Sequence, residues 1–119
     1  MFKESGAGGA LDAMPTFFAT ERFLNEYESL SAQEQELFRG ARDQFVQCLK
    51  EWESHGCRGN PRFPKKLGIT SMAINKKRYM ELAWAGDGRC TWEFGAPQQP
   101  GKCHVIWRRI GSHRIYSEP

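Results

Sequence analysis

At 119 residues, with 13% aromatic and 26% charged residues, the chain is long enough for one modest hydrophobic core and too aromatic to be a disordered polymer. No apolar run is long enough to cross a bilayer, and the first residues lack the basic-then-apolar pattern of a secretory signal. The expected location is therefore the cytoplasm, with no membrane partner. The net charge of +3 hides an asymmetry: residues 1–56 hold five Lys/Arg against ten Asp/Glu, and residues 57–119 hold twelve against four. A half that basic reads as the footprint of a protein that meets a polyanion, or as a solvated surface neutralised by the acidic half.

Residues 1–13, with Gly6-Ala7-Gly8-Gly9-Ala10, have little to bury and read as a flexible tail. The folded unit then covers residues 14–119. Residues 14–19 form a short apolar run after proline, the pattern of an edge strand. Phe23, Leu24, Tyr27 and Leu30 repeat at helical spacing. Ser31 and Glu34 form a capping box, so a second helix starts there, with an apolar stripe of Leu37, Phe38, Ala41, Phe45, Cys48 or Leu49, and Trp52. Gly56 is its natural stop.

Residues 56–66 are a basic loop rich in Gly and Pro. Residues 67–77 alternate too weakly to assign, and Lys76-Lys77-Arg78 adds a basic cluster. Three strands follow. Met80, Leu82 and Trp84 share one face. After the Gly86-Asp87-Gly88 turn, Cys90, Trp92 and Phe94 share a face, opposite Arg89, Thr91 and Glu93. Residues 95–101, with two prolines, read as a turn. The last strand is residues 103–109, with Val105 and Trp107 on one face and His104, Ile106 and Arg108 on the other. The implied fold class is α+β: an N-terminal strand and a helical hairpin packed on a small twisted antiparallel sheet. Its opposite face, carrying Glu81, Arg89, Thr91 and Glu93, stays at least partly open to solvent.

The four cysteines, Cys48, Cys57, Cys90 and Cys103, have irregular spacing and no C-x-x-C pair, which fits reduced thiols better than a zinc or redox site. No phosphate-cradling glycine loop, paired metal-binding histidines or activated serine motif is present, so neither metal nor cofactor is called for. The chemistry that remains sits in the basic half. Arg89 opens a strand on the polar face, where it could hold a phosphate or pair with Glu81 or Glu93. His113 follows a bend at Gly111 and could serve as general acid or base, or lie exposed near the end of the chain. Arg108 and Arg109 alternate, so only one of them readily serves the same site as Arg89. Tyr116 could stack on a base or cover the sheet edge. Lys65, Lys66, Lys76, Lys77 and Arg78, with Arg108 and Arg114, suit phosphate contacts that read no sequence.

Three segments carry a family resemblance in order along the chain. FFATERFLNEY (17–27) is similar to the first strand and helix of RelE-like bacterial toxins. YMELAWAGDGRCTWEFG (79–95) resembles their central hairpin, in which an arginine opens the second strand. HVIWRRIGSHRIY (104–116) resembles their closing strand and the Gly-x-His or Gly-x-Arg element after it. The resemblance implies the toxin of a type II toxin–antitoxin system: a metal-independent mRNA endonuclease, usually ribosome-dependent, that uses 2′-hydroxyl attack on the adjacent phosphate. It implies a cognate antitoxin, mRNA and the ribosome as partners, with the toxin itself a monomer. Carried over by position, His113 and Arg89 are expected catalytic residues and Tyr116 resembles the family's aromatic near the C-terminus; Arg109, or Arg108 in its place, is expected to join Arg89 in stabilising the pentacoordinate phosphorane. Tyr116 lies about one position off the family's commonest spacing, and Ala83 stands where the family often has arginine. The alternatives are a ParE-like, non-enzymatic gyrase inhibitor on the same fold, and a degenerate toxin that only binds antitoxin or nucleic acid.

Overall fold

The computed structural model describes residues 15–74 and 76–118; the expected tail over residues 1–13 lies outside them. Its elements, in order, are β1 (Thr16–Ala19), α1 (Glu21–Glu28), α2 (Ala32–Ser54), β2 (Thr70–Ile74), β3 (Lys77–Ala83), β4 (Gly88–Gln99) and β5 (Lys102–Ser112), with 3₁₀ turns at Lys65–Leu67 and His113–Ser117.

Capping chemistry starts both helices. The Thr20 hydroxyl accepts from the Phe23 amide to begin α1, and it also donates to the Arg108 carbonyl at 2.7 Å, fastening the helix start to β5. Ser31 and Glu34 form the full capping box of α2, with each side chain taking the other residue's amide. His55 then caps the far end, its Nδ1 3.0 Å from the Glu51 carbonyl oxygen.

The sheet runs β1-β5-β4-β3-β2. The four strands from β5 to β2 are antiparallel as expected, while β1 joins the edge in parallel with β5. The parallel pair follows from the route of the chain, because β1 leads into the helices and returns to its neighbour only at the end. β2 occupies the segment whose alternation was too weak to assign. The 95–101 stretch is largely strand: β4 continues to Gln99 and the reversal is confined to Pro100 and Gly101.

The helices cover one face. Phe38, Phe45 and Leu49 of α2 are fully buried, and with Phe23 they meet Leu82, Cys90, Trp92, Val105 and Trp107 from the strands. The Phe45 ring centroid lies 4.7 Å from that of Trp92 and 5.3 Å from that of Trp107. Each such side chain contributes roughly 1.5–3 kcal/mol by leaving water. Leu37, expected in this stripe, is instead 47% exposed, and Phe94 is 40% exposed. Leu37 directly precedes the buried Phe38 and lies outside the narrower face that meets the sheet.

A bulge breaks the simple phase of β5. Thr91 pairs with Arg109 but Trp92 pairs with Trp107, so Arg108 is the extra residue. The bulge lets Trp107 and Ile110 both turn inward.

Candidate functional site

The open face is built by the alternate residues of β3, β4 and β5, and its candidate site lies where β4 begins and β5 finishes. Arg89 pairs with Gly111 across these strands. Asp87 precedes Arg89 by two residues and His113 follows Gly111 by two, so the register brings their side chains together. His113 Nδ1 lies 2.6 Å from Asp87 Oδ1, on the exposed rim. This contact, aided by Arg89, holds the Asp87 carboxyl below its ordinary range despite a small opposing effect of desolvation.

Two glycines make the geometry possible. Gly88 lies flat on the Trp84 indole, where an added Cβ would come within 2.6 Å of the ring, so the turn carrying Asp87 and Arg89 is pressed against the core. At Gly111 an added Cβ would meet Ile115 at 3.2 Å. Ile115 is buried, and through it the closing 3₁₀ turn folds back over β4 and β5.

Arg89 uses Nη1 to donate to the carbonyls of Ala85, Gly86 and Gly88, at 3.2, 3.2 and 2.9 Å. Tyr116 of the closing turn feels the charges of both Glu81 and Arg89. Burial first, and then the carboxylate, raise the Tyr116 phenol above its usual value, so it stays a protonated donor at neutral pH. Glu81 sits between Thr70 of β2 and Thr91 of β4 in the register. Thr91, expected on a solvated face, is fully buried, at the position between Glu81 and Arg109.

His113, Arg89 and Tyr116 therefore gather at one end of the face. Arg109 does not join them. It clamps α1 to the sheet, bonding Glu26 through Nε at 3.2 Å and through Nη2, and the Glu118 carbonyl at 3.1 Å. Arg108 pairs with Glu93 at 2.7 Å and stacks over the Tyr79 ring at 4.8 Å. Of the other histidines, His55 caps α2 and His104 Nδ1 lies 2.8 Å from the Thr16 hydroxyl.

The lysines divide. Lys65 and Lys66 stand on the turn that packs against β3 and leads into Thr70, on the Glu81 side. Lys77 and Arg78 open the far end of β3, with Lys76 in the turn before it; Lys77 is six residues from Ala83, about 20 Å away. Lys77 rests over Tyr79 at 5.4 Å, and Arg78 donates to the Ser71 hydroxyl at 2.9 Å. Arg114 is exposed on the closing turn.

Sequence reasoning passed over two residues at this site. From the sequence Asp87 reads only as part of the Gly86-Asp87-Gly88 turn. Glu81 looked like a face residue. The signal that finds Asp87 is the equal two-residue offset of Asp87 and His113 from a paired Arg89 and Gly111, which needs the register.

No family model matches the chain, and no curated protein is significantly similar in sequence. Solved structures do share its architecture. A histidine-to-glutamine variant of YafQ from E. coli aligns with 86% of this chain and 97% of that one, at a TM-score of 0.54 and 9% identity. The fold is that of YafQ. A second YafQ structure, from E. coli strain BL21(DE3), aligns over the same shares at a TM-score of 0.50 and 12% identity. The five-stranded mixed sheet with two helices is thus a YafQ-type architecture.

Proposed function

We propose that the protein is the toxin of a type II toxin–antitoxin pair and that it cleaves mRNA without a metal. The YafQ fold supports a toxin of this kind, and the RelE-like motifs point the same way. The observation that carries the nuclease reading is the His113–Asp87 pair standing beside Arg89 and Tyr116 on the uncovered face. With Nδ1–H donating to Asp87, His113 presents Nε2 as the nitrogen that exchanges protons. Arg89, held rigidly by three carbonyls, offers its remaining guanidinium edge to a phosphate whose charge grows in the transition state. The 2′-hydroxyl attacks the adjacent phosphorus, the 5′-oxygen leaves, and a 2′,3′-cyclic phosphate results. Lys65 and Lys66 lie on the side where the RNA backbone would pass, with Arg114 on the closing turn. Lys76, Lys77, Arg78 and Arg108 would touch a longer RNA or the ribosome. Arg109 acts as a structural clamp in this reading. The site of action is the cytoplasm, where mRNA and ribosomes are, and the restraining partner is an antitoxin.

Primer extension on cellular mRNA after induction tests this. Wild type is expected to cut mRNA at codon-phased positions, and H113A to leave it intact while remaining folded. Identical cuts by H113A would overturn the assignment of the residue. Intact mRNA with an induced DNA-damage response would overturn the nuclease reading in favour of gyrase inhibition.

A further inference from the structure

Arg108 is the extra residue between the Thr91–Arg109 and Trp92–Trp107 pairs, and a bulge re-aims the side chain it carries. Here it turns Arg108 onto the open face, over the Tyr79 ring at 4.8 Å and against Glu93 at 2.7 Å. Tyr79 belongs to β3, Glu93 to β4 and Arg108 to β5, so three neighbouring strands build one cluster. We propose that this cluster is a base-stacking subsite, in which the outer side of the Arg108 guanidinium receives a nucleobase of the RNA. The inference rests on the ribonuclease reading above, and it gives Arg108 a base to hold where the sequence suggested a phosphate.

Three observations carry it. The charge of Arg108 is already met by Glu93, and the two side chains are 27% and 26% exposed. A cation so neutralised has less to give a phosphate, while its planar surface stays available. Guanidinium planes and aromatic rings are the surfaces on which unpaired bases stack. The platform is also held in place before any RNA arrives. The buried Tyr79 ring supports it from below, and the ion pair fixes its rotation, so little side-chain freedom is lost on binding. Finally, the position suits the chemistry. Arg108 comes three residues before Gly111, the partner of Arg89, which places it about 10 Å along β5 from the proposed phosphate site. The helices pack on the opposite face, leaving room here for a base at the scissile linkage or one nucleotide beyond. Stacking tolerates any base, so the subsite positions the strand on Arg89 and His113 without reading sequence.

The test uses the full chain on ribosomes programmed with a short mRNA, with single-turnover cleavage followed below saturation. Arg108→Lys keeps the charge and loses the plane. Arg108→Met keeps the length over Tyr79 and loses the charge. Stacking predicts that both fall alike, by ~5–100-fold. A phosphate contact predicts R108K near wild type and R108M alone slow. The base is then removed from one nucleotide at a time on either side of the bond that primer extension maps, with the backbone kept. One such abasic RNA is expected to cost wild type a similar factor and to cost R108K nothing further, because base and guanidinium act as a unit. A purely structural Arg108 would instead give R108K the same loss on every RNA. Thermal melts set the assay temperature below the midpoint of the less stable variant, and if R108K does not fold, R108M carries the abasic comparison. Two results overturn the proposal: R108K cleaving at nearly the wild-type rate, or abasic losses that are the same in the variant as in wild type at every position. Wild type that leaves the natural RNA intact overturns the ribonuclease reading itself, and the subsite with it.

Discussion

Alternate residues of β4 and β5 live in two different environments. On the covered face, Trp92 and Trp107 are fully buried among Phe23, Phe38 and Phe45, and their rings touch at centroid distances from 4.7 to 5.9 Å. On the open face, Arg89 is held by hydrogen bonds to three carbonyls and His113 by the Asp87 carboxylate. One strand set thus provides stability on one side and orientation on the other. The difference teaches that a reactive group here need not carry the fold. His113 and Asp87 are both about two-thirds exposed, so their removal takes almost nothing from the core.

Substitutions on the two faces separate these roles. Trp107→Ala should cost about 3–5 kcal/mol of stability, read as a lowered melting temperature or denaturant midpoint, because it opens a cavity where several aromatics converge. His113→Ala should do the opposite: a melting temperature near wild type and a loss of ~10²–10⁴-fold in cleavage. A large drop in stability for H113A would break the comparison. Asp87→Asn keeps the shape and removes the charge, and should cost about 10–100-fold in activity with little change in stability. Arg109→Met tests the joint between the faces. It strands Glu26 at a partly covered site, so about 1–3 kcal/mol of stability should go, with activity falling only as far as the folded fraction does. An activity loss in fully folded R109M would return Arg109 to the chemistry.

Much of the covered face was legible from the sequence. Ser31 and Glu34 carry their capping box in their identities, and Phe38, Phe45 and Leu49 carry their periodicity. The edge strand, the helical hairpin and the strand-opening Arg89 were readable for the same reason: the cause lies within a few residues. The open face was harder. Asp87 and His113 are 26 positions apart and meet only through the register of β4 on β5. The bulge at Arg108 follows from packing two large residues, Trp107 and Ile110, on one face, and strict alternation misses it. β2 was hidden because an edge strand pairs on one side only and needs little apolar alternation. Glu81 gave no sign that it would lie near Tyr116, which arrives from the closing turn.

The smallest expected effect concerns the rim itself. The Asp87 carboxyl is held below its ordinary range chiefly by its bond to His113. A carboxylate so depressed adds stability above its unfolded value, near 3.9, and loses that contribution as pH falls through the folded value. At this exposed site the consequence is local: the pair opens in acid while the aromatic core stays folded. NMR titration of the Asp87 carboxyl carbon should show a midpoint below 3.9 in wild type, moving up toward that value in H113A. An unchanged midpoint in H113A would mean that the pair does not form in solution. His113 would then lose the contact that fixes its tautomer, and the division of labour between the two faces would have to rest on Arg89 and Tyr116 alone.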